Sequence, residues 1–328
     1  MGRPKKGFEY NPNYAVAPGE TLVETLDALG MTQQELSERI GLDKKTVNQI
    51  IKGKHPITPE TARRLEFATG VPDRIWNNLE NQYRDQLIRV NERERLETDK
   101  AVLDELPLND LVRLGYVSTK KDKNQALKDV LSFFGFADVP LLRQYWQTHL
   151  ASDVRFRLTN AANLNIGSLA AWLRIGEIEA GRIETAPYSE RSFKELLVTA
   201  RRLTRLPIQD ALAQLESLCA SSGVALVVAP AIKGAPVNGS ARWLKSDKAL
   251  IQLSTRYKTD DQFWFSFFHE SCHILKHGKK SKFITIEDSA AKTDAAEQEA
   301  DQFAADWLIP KEYAARLLTV RTQTAIVC

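Results

Sequence analysis

Three residues whose types and spacing could do chemistry stand together between Asp261 and His277. His269, Glu270 and His273 read H-E-x-x-H. On a helix, residues four apart lie one turn above each other on the same face, so the two imidazoles could bind one metal ion. Glu270 lies one position round the helix, where it could reach a metal-bound water without being a ligand itself. The pattern therefore indicates a zinc site with a carboxylate beside it.

The helix that carries this motif should be buried, because it is apolar nearly all round. Its apolar residues are Phe263, Trp264, Phe265, Phe267, Phe268, Ile274 and Leu275. Burying two imidazoles and a carboxylate without partners is costly, and a metal ion would supply the partner. The alternative is a chance match on an ordinary core helix, which we expect in roughly one chain of this size in a hundred.

A third protein ligand is needed, and Glu297 is the best placed. Glu297 and Asp301 are four apart on a second helix with an apolar stripe. Glu297 could complete a site of two histidines and one glutamate, and Asp301 could accept the far N–H of a ligating histidine. Glu299 is a rival, but its side chain leaves the helix about 200° away from that of Glu297. His277 is a second rival, although a helix C-terminus before Gly278 also favours a basic residue there.

The composition bounds the class of protein. The 328 residues suggest two or three domains, and 43% hydrophobic with 27% charged residues is typical of a globular protein with ample core. A net charge of +3 is too small to indicate nucleic-acid binding by itself. Cys219, Cys272 and Cys328 are an odd number, which fits a reducing cytosol. With no apolar run long enough for a membrane and no signal peptide, we expect a cytoplasmic protein without membrane contact.

Four regions are predicted along the chain. Residues 1–17 read as a flexible arm, residues 18–82 as a helix-turn-helix domain, residues 83–190 as a helical linker or middle region, and residues 191–328 as a compact metal-binding domain. A continuous apolar strand at 223–229 and a strand pair at 241–244 and 249–253 precede the H-E-x-x-H helix. A basic loop at 276–282 follows that helix, and Pro310 opens a last helix. The fold class expected is mainly α with a small β-sheet.

The first domain has the signals of a five-helix bundle. Thr32 with Glu35 forms a capping box for a short second helix that ends at Gly41. Asp43 caps a third helix over 44–52, and Thr58 caps a fourth. Two short helices joined by a tight glycine turn are typical of a helix-turn-helix.

The third helix is predicted to be the recognition helix. One side is apolar, and the other presents amides suited to adenine edges and lysines suited to guanine or phosphate. Positive charge also concentrates between Arg39 and Arg64, where a phosphate backbone would lie. A solvated polar helix in a protein-binding module is the alternative. The candidate DNA contacts are Thr32, Gln33, Lys44, Lys45, Thr46, Asn48, Gln49 and Lys52.

The first domain resembles the XRE-type antitoxin regulators of the HigA kind. The residues that carry the resemblance are Gly-Glu-Thr-Leu at 19–22, Met-Thr-Gln-Gln-Glu-Leu at 31–36, Ile-Ile-Lys-Gly-Lys at 50–54, Ile-Thr-Pro-Glu-Thr-Ala at 57–62 and Trp-Asn-Asn-Leu at 76–79. The resemblance implies double-stranded operator DNA as a partner, and helix-turn-helix proteins usually read half-sites as homodimers.

The last domain resembles the ImmA/IrrE-type metallopeptidases, which have a zincin fold. The carriers are residues 238–244, 251–257, 269–277 and 297–305 up to Pro310. The resemblance implies Zn²⁺ held by His269, His273 and Glu297, with Glu270 as the catalytic glutamate that takes a proton from water and returns it to the leaving amine. The oxyanion-stabilising residue stays open among Tyr257, His277 and Arg256.

Two features of the sequence depart from that family. Ser271 and Cys272 replace the glycine-containing pair usual between the histidines, and the chain ends at Cys328 where relatives continue. The function expected is a transcriptional regulator whose zinc endopeptidase domain cleaves a partner regulator or a toxin–antitoxin component. The alternative is a non-catalytic antitoxin or repressor that uses the zincin domain to sense a signal or to bind a cognate toxin.

Overall fold

The computed structural model describes residues 14–150, 164–256, 259–278, 283–286 and 295–309. Most of the predicted arm at 1–17 lies outside these residues. The helix expected from Pro310 lies wholly outside them. The chain divides into two compact units, Met1–Asp99 and Lys100–Cys328. No described helix is long and apolar enough to cross a membrane.

Five helices make up the described part of the first unit, which confirms the predicted bundle. They are α1 (Pro18–Leu29), α2 (Gln33–Ile40), α3 (Lys44–Ile51), α4 (Pro59–Thr69) and α5 (Asp73–Asp99). The capping box is present, since Thr32 Oγ1 accepts from the Glu35 N–H while a Glu35 carboxylate oxygen accepts from the Thr32 N–H at 2.8 Å. Gly41 adopts a left-handed φ of 66°, which allows the tight turn between α2 and α3.

The bundle core includes Leu22 and Leu26 of α1, whereas Leu29, the last residue of that helix, is 50% exposed. Helix α5 extends beyond the core of the bundle. Its buried Trp76 belongs to that core, and the same helix continues through a charge-dense stretch to Asp99.

The second unit begins with helices, as the sequence predicts for its middle region. A 3-10 helix (Lys100–Glu105) precedes α6 (Leu108–Arg113), α7 (Lys123–Phe134), α8 (Val139–His149), α9 (Ile166–Arg182), α10 (Glu190–Leu203) and α11 (Ile208–Ser221). Helix α9 is buried over most of its length because it packs against the sheet that follows.

Four strands in the described part of the chain form one mixed sheet. They are β1 (Val224–Ala229), β2 (Val237–Lys245), β3 (Lys248–Ser254) and β4 (Phe283–Ile286), in the order β1-β3-β2-β4. Strand β1 runs parallel to β3, whereas β2 is antiparallel to both β3 and β4. The sequence predicts β1 and the β2–β3 hairpin but not β4, which is only four residues long.

Two further helices of the second unit lie within the described residues: α12 (Asp260–Lys276) and α13 (Ala295–Leu308). They pack on each other, and α12 also packs on β2 and β3. A single apolar core joins α10, α11, the sheet, α12 and α13. The fold class is therefore confirmed as mainly α with a small sheet.

Candidate metal centre and DNA-binding surface

Helix α12 carries the H-E-x-x-H residues into the interior of the second unit. Its apolar side chains join the core, and Asp260 and Asp261 in its first turn favour the positive end of the helix dipole. His269 is 3% exposed, His273 1% and Glu270 not at all. The buried helix predicted from the sequence is confirmed.

Helix α13 brings Glu297 against the two histidines. Glu297 Oε2 lies 3.1 Å from His269 Nε2, and its other oxygen lies 3.7 Å from His273 Nε2. The two imidazole Nε2 atoms are 3.2 Å apart. Three ligand atoms held tetrahedrally at about 2.0–2.1 Å from one zinc ion would lie about 3.3 Å from one another. The observed distances of 3.1–3.7 Å between the two Nε2 atoms and the two carboxylate oxygens are close to that value, so these three residues form a possible metal site.

Asp301 lies one turn beyond Glu297 and contacts the far side of His269. Its Oδ1 is 2.9 Å from His269 Nδ1. A carboxylate that accepts the Nδ1–H leaves Nε2 unprotonated and aimed at the other two ligand atoms.

Neighbouring charges and burial shift the pKa values of these groups in opposite directions. Burial disfavours the protonated form of His269, but Glu297, Glu270 and Asp301 outweigh it and raise the pKa of His269. Burial lowers the pKa of His273 despite Glu297. Burial alone would raise the pKa of Glu297, yet its hydrogen bonds with His269 and His273 prevail and hold that pKa well below its usual range. Glu297 is therefore a carboxylate, as a metal ligand must be.

The rival ligands lie elsewhere. Glu299 points away from these three residues and pairs with Lys276 at 2.7 Å and with His277 at 3.3 Å. His277 follows the last residue of α12, and its Nδ1 lies 2.9 Å from His273 Nδ1. His277 therefore contacts the ring nitrogen of His273 that faces away from the possible metal site, and it is not one of the three converging residues. Cys272 is buried on α12 but is not one of the three residues whose ligand atoms converge, and burial raises the pKa of its thiol to about 12.

Glu270 is held by two features that the sequence reasoning missed. Thr285 on β4 donates a hydrogen bond from its hydroxyl to Glu270 Oε1 at 2.8 Å, and the same hydroxyl lies 3.3 Å from His269 Nε2. Gly239 on β2 leaves room for the carboxylate, because a Cβ there would meet Glu270 Oε1 at 2.4 Å. A glycine inside a strand is a known signal of such a close approach. No signal in the sequence singles out Thr285.

The oxyanion candidates receive no support from the geometry. Tyr257 lies outside the described residues, Arg256 is exposed just after β3, and His277 is engaged with His273 and Glu299.

The candidate DNA contacts lie on α2 and α3 or at the caps of these two helices. Lys44, Lys45 and Lys52 are exposed, whereas Asn48 and Gln49 are half buried on the side of α3 away from the core residues Val47 and Ile50. The helix ends at Ile51, so Lys52 occupies its C-cap instead of its last turn.

Two threonines proposed as DNA contacts have local partners. Thr32 Oγ1 hydrogen-bonds with Glu35, and Thr46 Oγ1 donates to Asp43 Oδ2 at 2.9 Å. Gln33 is half buried in the first turn of α2. All eight candidates thus lie on the two helices or at their caps. The hydroxyls of Thr32 and Thr46 are hydrogen-bonded to Glu35 and Asp43 within the same helix starts.

Comparison with known proteins gives two family matches. A helix-turn-helix family matches residues 22–76, and the IrrE N-terminal-like domain of the M78 peptidases matches residues 229–324. An uncharacterised HTH-type transcriptional regulator of Escherichia coli (strain K12), YddM, is 30% identical over 66 residues, which are 20% of this chain and 70% of that protein.

Two solved structures are similar to the first domain, and each is 28% identical and covers 26% of this chain. One is a putative antidote protein of a plasmid maintenance system from Nostoc punctiforme (92% of that chain, TM-score 0.25). The other is an addiction module antidote protein of a HigA family from Coxiella burnetii (94% of that chain, TM-score 0.24). From the family matches and the relative, the chain belongs to the XRE-type helix-turn-helix transcriptional regulators and carries an IrrE-like M78 peptidase domain in its C-terminal part.

Proposed function

We propose that this regulator binds operator DNA through α3 and cleaves a partner protein at a zinc centre held by His269, His273 and Glu297. One observation carries the proposal: the two Nε2 atoms lie 3.2 Å apart, and the Glu297 carboxylate lies 3.1 Å from one of them and 3.7 Å from the other, with Glu270 on the same buried helix. The donor set of two imidazoles and one carboxylate is one that catalytic zinc sites use.

The chain's own residues divide the chemistry between them. A zinc ion bound there supplies Lewis acidity, which lowers the pKa of a water molecule and polarises a peptide carbonyl. Glu270 accepts the proton of the attacking water and donates it to the leaving amine. Thr285 fixes the Glu270 carboxylate through the 2.8 Å hydrogen bond. Asp301 fixes the tautomer and the orientation of His269.

The DNA-binding role rests on the surface of α3 in the first unit. Asn48 and Gln49 read base edges, and Lys44, Lys45 and Lys52 contact phosphates or guanine. A homodimer on double-stranded operator DNA would present two such helices to two half-sites. Cleavage of the partner would then change expression of the operator's genes.

Substitution of Glu270 by glutamine tests the catalytic part. Glutamine keeps the size and hydrogen-bonding reach of glutamate but cannot act as a base near pH 7. Purified Glu270→Gln should bind zinc and operator DNA like the parent, while cleavage of a co-encoded repressor or toxin falls by about 10²-fold or more. Glu299→Gln makes the same change on an exposed side chain of α13 and should cleave normally.

A second outcome would favour a non-catalytic function. If Glu270→Gln regulates its promoter like the parent while His269→Ala, which loses the metal, does not, the domain acts as a binding module. The chain would then be an antitoxin or repressor that uses its metal centre for sensing or for binding a toxin.

A further inference from the structure

His277 follows the last residue of α12 and continues the side of that helix on which His269 and His273 lie. Its backbone N–H donates to the His273 carbonyl at 3.2 Å, so the helical spacing reaches this residue. Residues four apart on a helix are neighbours on its surface. The imidazole of His277 therefore lies one turn beyond that of His273, with 15% of its side chain exposed.

The two rings contact each other through their Nδ1 atoms. His273 Nδ1 lies 2.9 Å from His277 Nδ1, whereas His273 Nε2 faces the other proposed ligands, 3.2 Å from His269 Nε2 and 3.7 Å from a Glu297 oxygen. A ring nitrogen that binds a metal ion cannot also carry a hydrogen. His273 bound through Nε2 therefore carries its hydrogen on Nδ1 and donates it, so His277 Nδ1 must be the acceptor.

The other ring nitrogen of His277 has a partner that fits this arrangement. His277 Nε2 lies 3.3 Å from Glu299 Oε2, and Oε1 of the same carboxylate pairs with Lys276 at 2.7 Å. The hydrogen bond from Lys276 is the largest cause that lowers the pKa of Glu299, which keeps this group ionised. A carboxylate only accepts, so Glu299 favours the His277 tautomer with its hydrogen on Nε2. That is the tautomer that the contact with His273 requires.

Phe283 of β4 packs against both imidazoles. Its ring stacks on His273 with centroids 4.0 Å and planes 11° apart, and its centroid lies 5.0 Å from that of His277. This stacking restricts the tilt of the His273 ring. The direction from His273 Nδ1 to His277 is therefore set by packing as well as by the hydrogen bond.

Each imidazole of the proposed centre thus has a carboxylate of α13 behind it. Asp301 contacts His269 Nδ1 directly at 2.9 Å, and Glu299 reaches His273 through His277. Histidines that bind metal ions usually donate their second N–H to an acceptor, which fixes the tautomer and makes the ring a better ligand. One ring has a direct contact of this kind, and the other has a relayed one.

We infer that His277 is a positioning residue for the proposed zinc centre: it accepts the Nδ1–H of His273, while Glu299 holds the hydrogen of His277 on Nε2. This role rests on the proposed function, because it exists only where His273 binds a metal ion. It gives Glu299 a task at the centre although Glu299 is not a ligand.

Two substitutions of His277 separate the acceptor from the packing. Asparagine places its Oδ1 as many bonds from the backbone as histidine places Nδ1, so His277→Asn keeps an acceptor for His273. Leucine has nearly the shape of asparagine but no polar atom. His277→Leu should therefore weaken zinc affinity by about tenfold in chelator competition, since a neutral acceptor is weaker than a carboxylate. His277→Asn should stay within about threefold of the parent.

The unsubstituted protein gives an independent measurement that does not involve cleavage. Nitrogen-15 NMR of the zinc-loaded, histidine-labelled chain distinguishes the two neutral tautomers of each ring. His273 should carry its hydrogen on Nδ1 and His277 on Nε2. Glu299→Gln should leave both tautomers and the zinc affinity unchanged, because the amide oxygen can still accept from His277 Nε2.

The inference is overturned if His277 carries a hydrogen on Nδ1 in the zinc-loaded chain, because that nitrogen then cannot accept from His273. It is also overturned if His277→Leu binds zinc as tightly as the parent. A loss of affinity in His277→Asn as large as that in His277→Leu would make the role of His277 one of packing alone and would overturn it too. A parent chain that binds no zinc would refute the proposed function and this role together. If the parent binds zinc but cleaves nothing, the peptidase is refuted while the affinities and tautomers still decide the role of His277.

Discussion

Gly239→Ala should move the Glu270 carboxylate without touching a metal ligand. The added Cβ would lie 2.4 Å from Glu270 Oε1 and 2.9 Å from its Cγ and Cδ. Real Cβ atoms essentially never approach closer than 3.0 Å, so the carboxylate must shift by at least about 0.6 Å. Gly239 does not have a positive φ, so the backbone itself tolerates alanine.

The expected cost has two parts. Overpacking of a buried site lowers the free energy of unfolding by about 1–3 kcal/mol, measured by urea denaturation. A displacement approaching 1 Å at a catalytic group lowers the rate by up to about 10²-fold, so cleavage should fall by about 10–100-fold. Zinc content should stay at one ion per chain, because the three atoms nearest the new methyl group all belong to Glu270 and none to a proposed zinc ligand.

Gly181→Ala is the matched control. Gly181 lies near the end of α9, where an added Cβ meets nothing within 4 Å. Alanine there should raise the free energy of unfolding by up to about 1 kcal/mol, because glycine is the poorer helix former. If Gly239→Ala unfolds and cleaves like the parent, Glu270 does not lie against Gly239 and the proposed geometry is wrong.

Further expected outcomes concern the metal and DNA. Glu297→Ala should lose zinc in elemental analysis while Glu299→Ala keeps it, since Glu297 lies against His269 and His273 whereas Glu299 pairs with Lys276 and His277. Asp301→Ala should weaken zinc affinity by about 10–100-fold in chelator competition, through loss of the His269 contact. Gln49→Ala should cost about 1–3 kcal/mol at one or two operator positions in binding assays with mutated sites. Lys52→Ala should instead weaken binding to all sequences and flatten its salt dependence.

Interactions between residues close in the sequence were enough to predict much of this structure. The caps at Thr32, Asp43 and Thr58 are present because a side-chain oxygen bonds an N–H only three residues away. The spacing of His269 and His273 predicted that both lie on one face of a buried helix, which the structure shows. This prediction was also local, because the geometry of a helix depends on near neighbours alone. The angle around one helix separated Glu297 from Glu299, and the two side chains do contact different residues: Glu297 lies against His269 and His273, and Glu299 pairs with Lys276 and His277.

Contacts between residues that are far apart in the sequence were decided by the tertiary structure alone. The short strand β4 forms only because β2 offers it an antiparallel edge, so Thr285 reaches Glu270 through a pairing that local propensity does not encode. Helix α9 packs on the same sheet, and the buried Arg242 of β2 donates to the Leu173 carbonyl and to Gln252 Oε1, which lie 69 residues and 10 residues away along the chain. Periodicity could mark the residues of α9 as buried, but only the packing of that helix against the sheet could bring a backbone carbonyl to Arg242.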